Sequence, residues 1–456
     1  MPTRWKALAA ALVAAFLAGR IVILLGGKVY TSFDTFSYAL RGDPFWDRGE
    51  LVSFTGQAPR PWGVPLFYAM FGDDQARAVA QWTLGTVAWL VLAWSLARCF
   101  RSPAAQALAG GVVLLLALTR TVASWDFAIL SESLSLSLGA LVLAFFLWWA
   151  RTLRLAPLIL MTVVAVWWTF VRVDMLPLLA PLVLVVVVVA WRHRRWVAPA
   201  VAAAVLVLAA GWSYVTGQIS LHAAEKWTAT PHITHEQGLM LYRLRINVLP
   251  DPAVKSAFQQ RLGMPECPAA DRAAQLPGWD LPALHDAIDQ CPALKAWTQE
   301  HRDTMWSEYA KAAPGLFARQ HYQMWSDSLR GADYAQTPSV LSKMERLIFP
   351  PGHAQLLITL AGLALTLGLA LIRRAHPWLI AGAALLAAGA LGSALITILL
   401  GAGETWRFGL QEAVAARLAM LIFVCCAIDG FVTARLTSKR SGALEKAPAL
   451  EGSPSH

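Results

Sequence analysis

Residues Met175 to Trp191 read MLPLLAPLVLVVVVVAW, and Arg192, Arg194 and Arg195 follow at once. An uninterrupted apolar run close to the roughly 20 residues a helix needs to cross a bilayer reads as a membrane span. A basic cluster at its end marks the cytoplasmic side, because Lys and Arg accumulate in the short loops there. Just before the run, Arg172 and Asp174 put two charges at the opposite mouth of the same span. One stretch therefore gives the membrane class, an orientation and a charged pair on the outer side.

The same pattern recurs along the chain. Ten spans are predicted, at about Ala7–Gly26, Ala76–Ala97, Ala104–Leu118, Ala128–Ala150, Leu155–Val171, Met175–Trp191, Val197–Tyr214, Ala354–Ile372, Trp378–Leu400 and Glu412–Phe431. Arg4 and Lys6 precede the first. Arg98 and Arg101, Arg151 and Arg154, Arg192 to Arg195, Arg373 and Arg374, then Arg435, Lys439 and Arg440 follow the even-numbered spans. All fall on one side, which makes that side cytoplasmic and puts both termini there. The first span reads as an uncleaved anchor rather than a cleaved signal peptide, since no clear small-x-small cleavage site stands out before Arg20 and the apolar run is long.

Composition agrees. The chain is 57% hydrophobic and 14% charged with 21 Trp, and its mean hydropathy is +0.51. A soluble chain would carry nearly twice that charge fraction. The apolar runs are continuous rather than alternating, which excludes a membrane β-barrel. The pI of about 9.6 reflects the basic inner loops and not a nucleic-acid partner. An Ala-rich, Arg-over-Lys composition suggests a bacterial inner (plasma) membrane. The expected fold is all-α: a polytopic bundle of about ten spans with a mainly helical extracytoplasmic domain.

Residues 1–214 form an N-terminal module of seven spans, with a first outer loop at 27–74. Residues 215–353 form the outer domain, 354–433 a three-span module and 434–456 a disordered cytoplasmic tail. Within the first loop, Val64 to Phe71 is too short to span and is expected in the membrane interface. Pro265, Pro268, Pro277, Pro282 and Pro292 keep the outer domain's helices short. Cys267 and Cys291 are that domain's cysteines, bridged or free; an oxidising face favours the bridge. Cys99, Cys425 and Cys426 read as packing residues.

Charged residues at the outer ends of spans are expensive without a partner or a task. Asp34 follows the first span, and either caps a short helix running through Tyr38 or does chemistry. Arg60 opens the turn Arg60-Pro61-Trp62-Gly63-Val64-Pro65-Leu66. Asp126 and Glu132 lie at the start of the fourth span, where Ser131, Glu132, Ser135 and Gly139 share a face. The serines read as a packing seam; for Glu132 a site role and a structural one stand level. Arg172 pairs with Asp174 or anchors a phosphate. Arg407 beside Phe408 suits an anionic lipid phosphate or a snorkelling anchor. Glu412 and Arg417 are expected to pair.

In this order, four pieces resemble the GT-C superfamily of membrane glycosyltransferases, which typically use polyprenyl-phosphate-linked sugars. They are Asp34 followed by Tyr38, the turn Arg60 to Leu66, Ser131-Glu132-Ser133-Leu134, and Arg172 to Pro177. Arg407-Phe408 resembles the late Arg-aromatic pair of such chains. The resemblance covers roughly the first two hundred residues and that late turn; the outer domain matches nothing known to us. It implies an inverting sugar transfer from a lipid-linked donor to an extracytoplasmic lipid, glycan or protein. Asp34 would be the base, with Arg60, Tyr38, Arg172 and Arg407 binding substrate. Asp126 and Glu132 would assist the acceptor or hold a divalent metal (Mg or Mn) with Asp34. His232, His235 and Glu236 read as surface. Two rivals stand: a transporter or flippase of lipid-linked sugars, and a non-catalytic envelope-assembly protein whose outer domain binds partners. Convergence of Asp34, Glu132, Arg172 and Arg407 on one outer cavity separates the enzyme from the assembly protein.

Overall fold

The computed structural model describes residues 3–32, 34–35, 38, 61–194, 196–228, 240–275, 286–331, 334–350, 352–373, 376–400 and 404–445. Ten main helices occupy the ten predicted places: α1 (Thr3–Gly26), α2 (Asp74–Ala97), α3 (Pro103–Ala117), α4 (Glu132–Thr152), α5 (Leu155–Thr169), α6 (Leu176–Arg192), α7 (Val197–Thr228), α8 (Gln355–Arg373), α9 (Pro377–Leu400) and α10 (Leu410–Glu445). Among the described residues there is no strand, only an isolated bridge between Tyr30 and Ala128. The protein is an all-α polytopic bundle.

Among the described residues, eight helices are long and apolar enough to cross a bilayer, or nine if one bent pair counts as a single span. The expectation of ten full-length spans is corrected at two places. Helix α3 has 15 residues and is followed, across a 57° bend, by the segment Arg120–Phe127. Thr119 marks the break: its hydroxyl donates back to the Leu116 carbonyl at 2.7 Å, and its own carbonyl accepts from Ala123 N. Helix α5 has 15 residues, about 22 Å at 1.5 Å per residue, short of a hydrocarbon core of about 30 Å. Helix α4 begins at Glu132 rather than Ala128. The preceding carbonyls serve other segments: Gln81 Nε2 donates to Asp126 O and Ala128 O, and Tyr68 Oη to Leu130 O. Helix α10 runs to Glu445, so the tail predicted to be disordered from 434 is helical over its first part.

Helices α3, α2, α4, α5, α7, α6, α9 and α10 pack in that order into a closed ring, with α10 returning to α3. Helix α1 lies outside on α3 and α2, and α8 on α10. Between α2, α4, α5, α6, α9 and α10 lies a partly open apolar cavity of about 130 Å³, bounded by Trp89, Trp168, Leu182, Leu386 and Val414, with Ser135 and Gln411 as polar members.

The outer domain has its own core around Phe258, Trp297 and Tyr309. Prolines open four of its helices (Pro252–Leu262, Pro268–Ala274, Pro292–Glu300 and Pro314–Ser328), where the missing N–H costs nothing. Cys267 and Cys291 are disulfide-bonded, and each stands just before the proline that opens one of these helices. The helix Pro314–Ser328 reaches back to α8, α9 and α10 and so couples this domain to the bundle. The segment Gly63–Ala69 is buried against protein rather than lying in the interface: Val64 and Tyr68 are fully covered.

Candidate active site

Four outer turns bring their charges together. Glu132, at the first residue of α4, is fully buried, and its Oε1 accepts from Arg172 Nη1 at 2.6 Å and from Arg407 Nε at 2.5 Å. Arg407 Nη1 also donates to Asp34 Oδ2 and to Glu404 Oε2, both at 2.9 Å. Arg172 grips Asp174 with both Nε (3.0 Å) and Nη2 (2.5 Å). Tyr38 Oη donates to Ser131 Oγ at 3.3 Å, and Ser131 Oγ to Glu132 Oε2 at 3.4 Å. The Phe408 ring lies beside both guanidiniums, 5.4 Å from that of Arg172 and 5.9 Å from that of Arg407. Asp34, Tyr38, Glu132, Arg172 and Arg407 thus form one cluster.

Local chain geometry explains the convergence. Asp34 is held by a short turn: Thr35 N donates to Ser32 O, and Thr35 Oγ1 donates to Ile129 O at 2.9 Å. That bond ties the first outer loop to the residues just before Glu132. Gly63 N donates to Phe170 O at 2.9 Å, and Trp62 stacks on Phe170, which fixes the second turn against Arg172. Arg407 sits in the helical turn Thr405–Phe408, followed by Gly409. A Cβ at Gly409 would lie 2.4 Å from the Ser328 backbone, so only glycine lets this turn press on the outer-domain helix.

The cluster is graded in exposure. Side-chain exposure is 0% for Glu132, 5% for Arg407 and 6% for Arg172, but 26% for Asp174 and 27% for Asp34. Asp34 is therefore a carboxylate a substrate can reach, while Glu132 is locked between two cations. Burial works against the Arg407 charge, but Glu132 and Asp34 more than offset it and hold the guanidinium protonated. Among the described residues, four carboxylates (Asp34, Glu132, Asp174, Glu404) contact these two guanidiniums.

Asp126 does not join them. Its Oδ2 accepts from Arg20 Nη2 at 2.7 Å and its Oδ1 from Ser133 Oγ at 2.6 Å. Arg20 lies within the first span, and also donates to Thr86 Oγ1 and Trp82 O. This pair fastens α1 to α2 and to the turn before α4. The assignment of Asp126 to a shared site with Asp34 is corrected on that ground. A charged residue inside an apolar run is a signal for such a partner, and Arg20 carried it. Among the described residues no group of three or more His, Cys, Asp or Glu side chains is arranged to hold a metal ion. One oxygen of each, Asp34 Oδ2 and Glu132 Oε1, accepts from the Arg407 guanidinium. Arg60, His232, His235 and Glu236 lie outside the described residues. Glu412 and Arg417 do not pair: Glu412 accepts from Ser393 Oγ, and Arg417 donates to Ile348 O and Gln355 Oε1.

Sequence reasoning missed Glu404 as an Arg407 partner. It also missed Tyr242, a buried tyrosine from the start of the outer domain whose phenol burial pushes up, with nearby Glu404 adding to the rise. Glu404 stands three residues before Arg407, an i, i+3 spacing that would have revealed it. Tyr242 has no local signal.

Fold and site together define a polytopic helical membrane protein in which four turns between helices meet in one charged cluster. No protein-family model matches the chain, and no curated protein matches it. Among solved structures it is similar to the crystal structure of ArnT from Cupriavidus metallidurans bound to undecaprenyl phosphate, with 12% identity, 99% of this chain and 82% of that chain covered, and a TM-score of 0.33. The apo state of the same protein gives 13% identity, 92% and 78% coverage, and a TM-score of 0.32.

Proposed function

We propose that this chain is an integral-membrane glycosyltransferase that moves a sugar from a polyprenyl-phosphate donor to an acceptor on the extracytoplasmic face. The observation that carries this reading is the meeting of Asp34, Glu132, Arg172 and Arg407, from four separate turns, in one cluster. An assembly protein has no need to gather these groups at one point. A transporter needs a polar path through the bundle, whereas the cavity between the helices is lined mainly by apolar side chains.

The chemistry follows from the exposure gradient. In the resting cluster both guanidiniums are engaged by carboxylates. A donor phosphate bound at Arg407 would replace the carboxylate most easily given up, the half-exposed Asp34. Guanidinium suits phosphate bidentately. The exchange would release Asp34 as the base that takes the acceptor hydroxyl's proton. The acceptor oxygen then bonds to the anomeric carbon as the bond from that carbon to the lipid phosphate breaks. Arg407 and Arg172 stabilise the departing phosphate. Glu132 keeps both guanidiniums aimed. The apolar cavity begins within a turn of Glu132 and Arg407, at Ser135 and Gln411, and would take part of the isoprenoid chain.

The test is transfer of a radiolabelled sugar from undecaprenyl phosphate by the full chain in lipid nanodiscs. Asp34→Asn is expected to lower the rate by about 10²–10⁴-fold, the usual worth of a general base. A wild-type rate in Asp34→Asn would remove Asp34 from the chemistry.

A further inference from the structure

Beside the charged cluster lies a group of aromatic rings that the transfer scheme leaves unused. The Tyr334 ring stacks on Trp125, with centroids 4.8 Å apart at 16°, and meets Tyr30 edge to face at 4.9 Å and 87°. Trp125 is fully buried, whereas Tyr30 is 43% exposed. The three come from distant parts of the sequence and are stitched at the backbone. Tyr30 N donates to Phe127 O at 2.8 Å, Ile129 N to Tyr30 O at 3.1 Å, and Lys28 N to Gln336 O at 3.0 Å. Tyr334 N donates to Ser124 Oγ at 3.1 Å. Such bonding pre-sets a surface and spares the ordering cost of forming it on binding.

Its position is equally defined. Tyr30 precedes Asp34 by four residues, and its partner Ile129 precedes Glu132 by three. We propose that Tyr30, braced edge to face by Tyr334 and through it by Trp125, is the platform on which a pyranosyl ring lies during transfer. This deepens the glycosyltransferase reading and rests on it. A pyranose has a C–H face and a rim of hydroxyls. The C–H face suits an aromatic surface, and the rim suits nearby carboxylates and phenols, which tyrosine offers in one side chain. A phosphate would go to the guanidiniums and an isoprenoid chain to the apolar cavity. A neutral polar ring is the ligand left for an aromatic surface that lies within electrostatic reach of Glu404 and Arg407. Burial pushes the Tyr334 phenol up to about 12, with Arg407 pulling the other way, so it stays protonated.

The competing account is that Tyr30 is an aromatic anchor at the headgroup level. Saturation-transfer NMR on the full chain in nanodiscs separates the two, and needs no turnover. The probes are the methyl glycosides of common hexo- and pentopyranoses and the corresponding sugar 1-phosphates. Transfer to the ring C–H protons of at least one sugar is expected. Tyr30→Ala should weaken its binding about fivefold, and Tyr30→Phe should restore most of it. Tighter binding of the 1-phosphate than of the methyl glycoside makes the ring the donor's; equal binding makes it the acceptor's. No transfer to any probe, or binding unchanged in Tyr30→Ala, would overturn the platform. Sugar binding through Tyr30 in a chain that fails the labelled-donor assay would instead reject the glycosyltransferase reading.

Discussion

Glu132 and Asp34 are both carboxylates on Arg407, yet their surroundings set opposite expectations. Glu132 is buried between two guanidiniums. Removing its charge strands both, and breaking a buried pair in this way costs about 3–5 kcal/mol. Glu132→Gln should therefore lose activity and melt well below wild type. Asp34 is half-exposed and has solvent to fall back on, so Asp34→Asn should lose activity with its melting temperature nearly unchanged. Circular dichroism melts alongside the transfer assay read both; equal melting losses would make Asp34 a structural residue too. Arg407→Lys tests geometry at constant charge. Arg407 binds Glu132 through Nε and Asp34 and Glu404 through Nη1, which a single ammonium cannot reproduce. A loss of about 10²-fold or more in kcat/KM is expected, on the scale of a deleted oxyanion donor. Much of this site was legible beforehand because a charge at the mouth of a span has few bland explanations. Arg172, Arg407, Glu132 and Asp34 stood out for that reason. Asp126 stood out for the same reason and belongs elsewhere, since sequence shows that a buried charge needs a partner but not which one.

The pair of Arg20 and Asp126 acts between elements. It joins α1 to α2, and α1 otherwise touches the ring through only part of its surface. Asp126→Asn is expected to destabilise the fold while leaving the specific activity of the folded fraction near wild type. Replacing both members by apolar residues, Arg20→Met with Asp126→Leu, should recover much of the loss, as it does for other buried pairs. Failure of the double variant to melt above Asp126→Asn would mean that the hydrogen bonds to Ser133 and Thr86 matter more than the charge pair. In the outer domain, His321 lies 3.8 Å from the Phe317 ring and 5.7 Å from that of Trp306, centroid to centroid. Burial depresses its pKa below the ordinary 6.5. The unfolded chain then takes up the proton first as pH falls. Stability contributed by neutral His321 is complete above about pH 6.5 and is lost as pH falls toward the folded value. Amide exchange across the helix Pro314–Ser328, corrected for intrinsic rates, should speed up between about pH 7.5 and 5.5 in wild type and not in His321→Phe. The helices themselves were visible as apolar runs. The break at Thr119 was not, because a hydroxyl donating to the Leu116 carbonyl can sit mid-span as easily as end one.

Across the whole molecule, the ring of helices and the outer cluster make one device only if a lipid chain joins them. The cavity between the helices starts at Ser135, three residues beyond Glu132, and at Gln411, four beyond Arg407. Gln411 is 6% exposed, and its Nε2 has no hydrogen-bond partner among the described residues. A polar group of that kind costs free energy in an apolar cavity, whereas a cavity evolved only for packing would be filled. Gly382 on α9 lines the same space, and a Cβ there meets no atom within 4 Å. Gly382→Leu should therefore do two opposite things. Without lipid it should stabilise the fold, since leucine is favoured over glycine in a helix by up to about 1 kcal/mol and its side chain finds room. With undecaprenyl phosphate it should lose the stabilisation that bound lipid gives wild type, about 2.7 kcal/mol at a hundredfold excess over Kd. Melting of both proteins in nanodiscs with and without the lipid measures the two effects together. A raised unliganded melting temperature with an undiminished lipid shift would put the isoprenoid chain outside the ring. A lost shift that accompanies an unchanged or raised unliganded value would place it inside, directly beneath the guanidiniums that hold its phosphate.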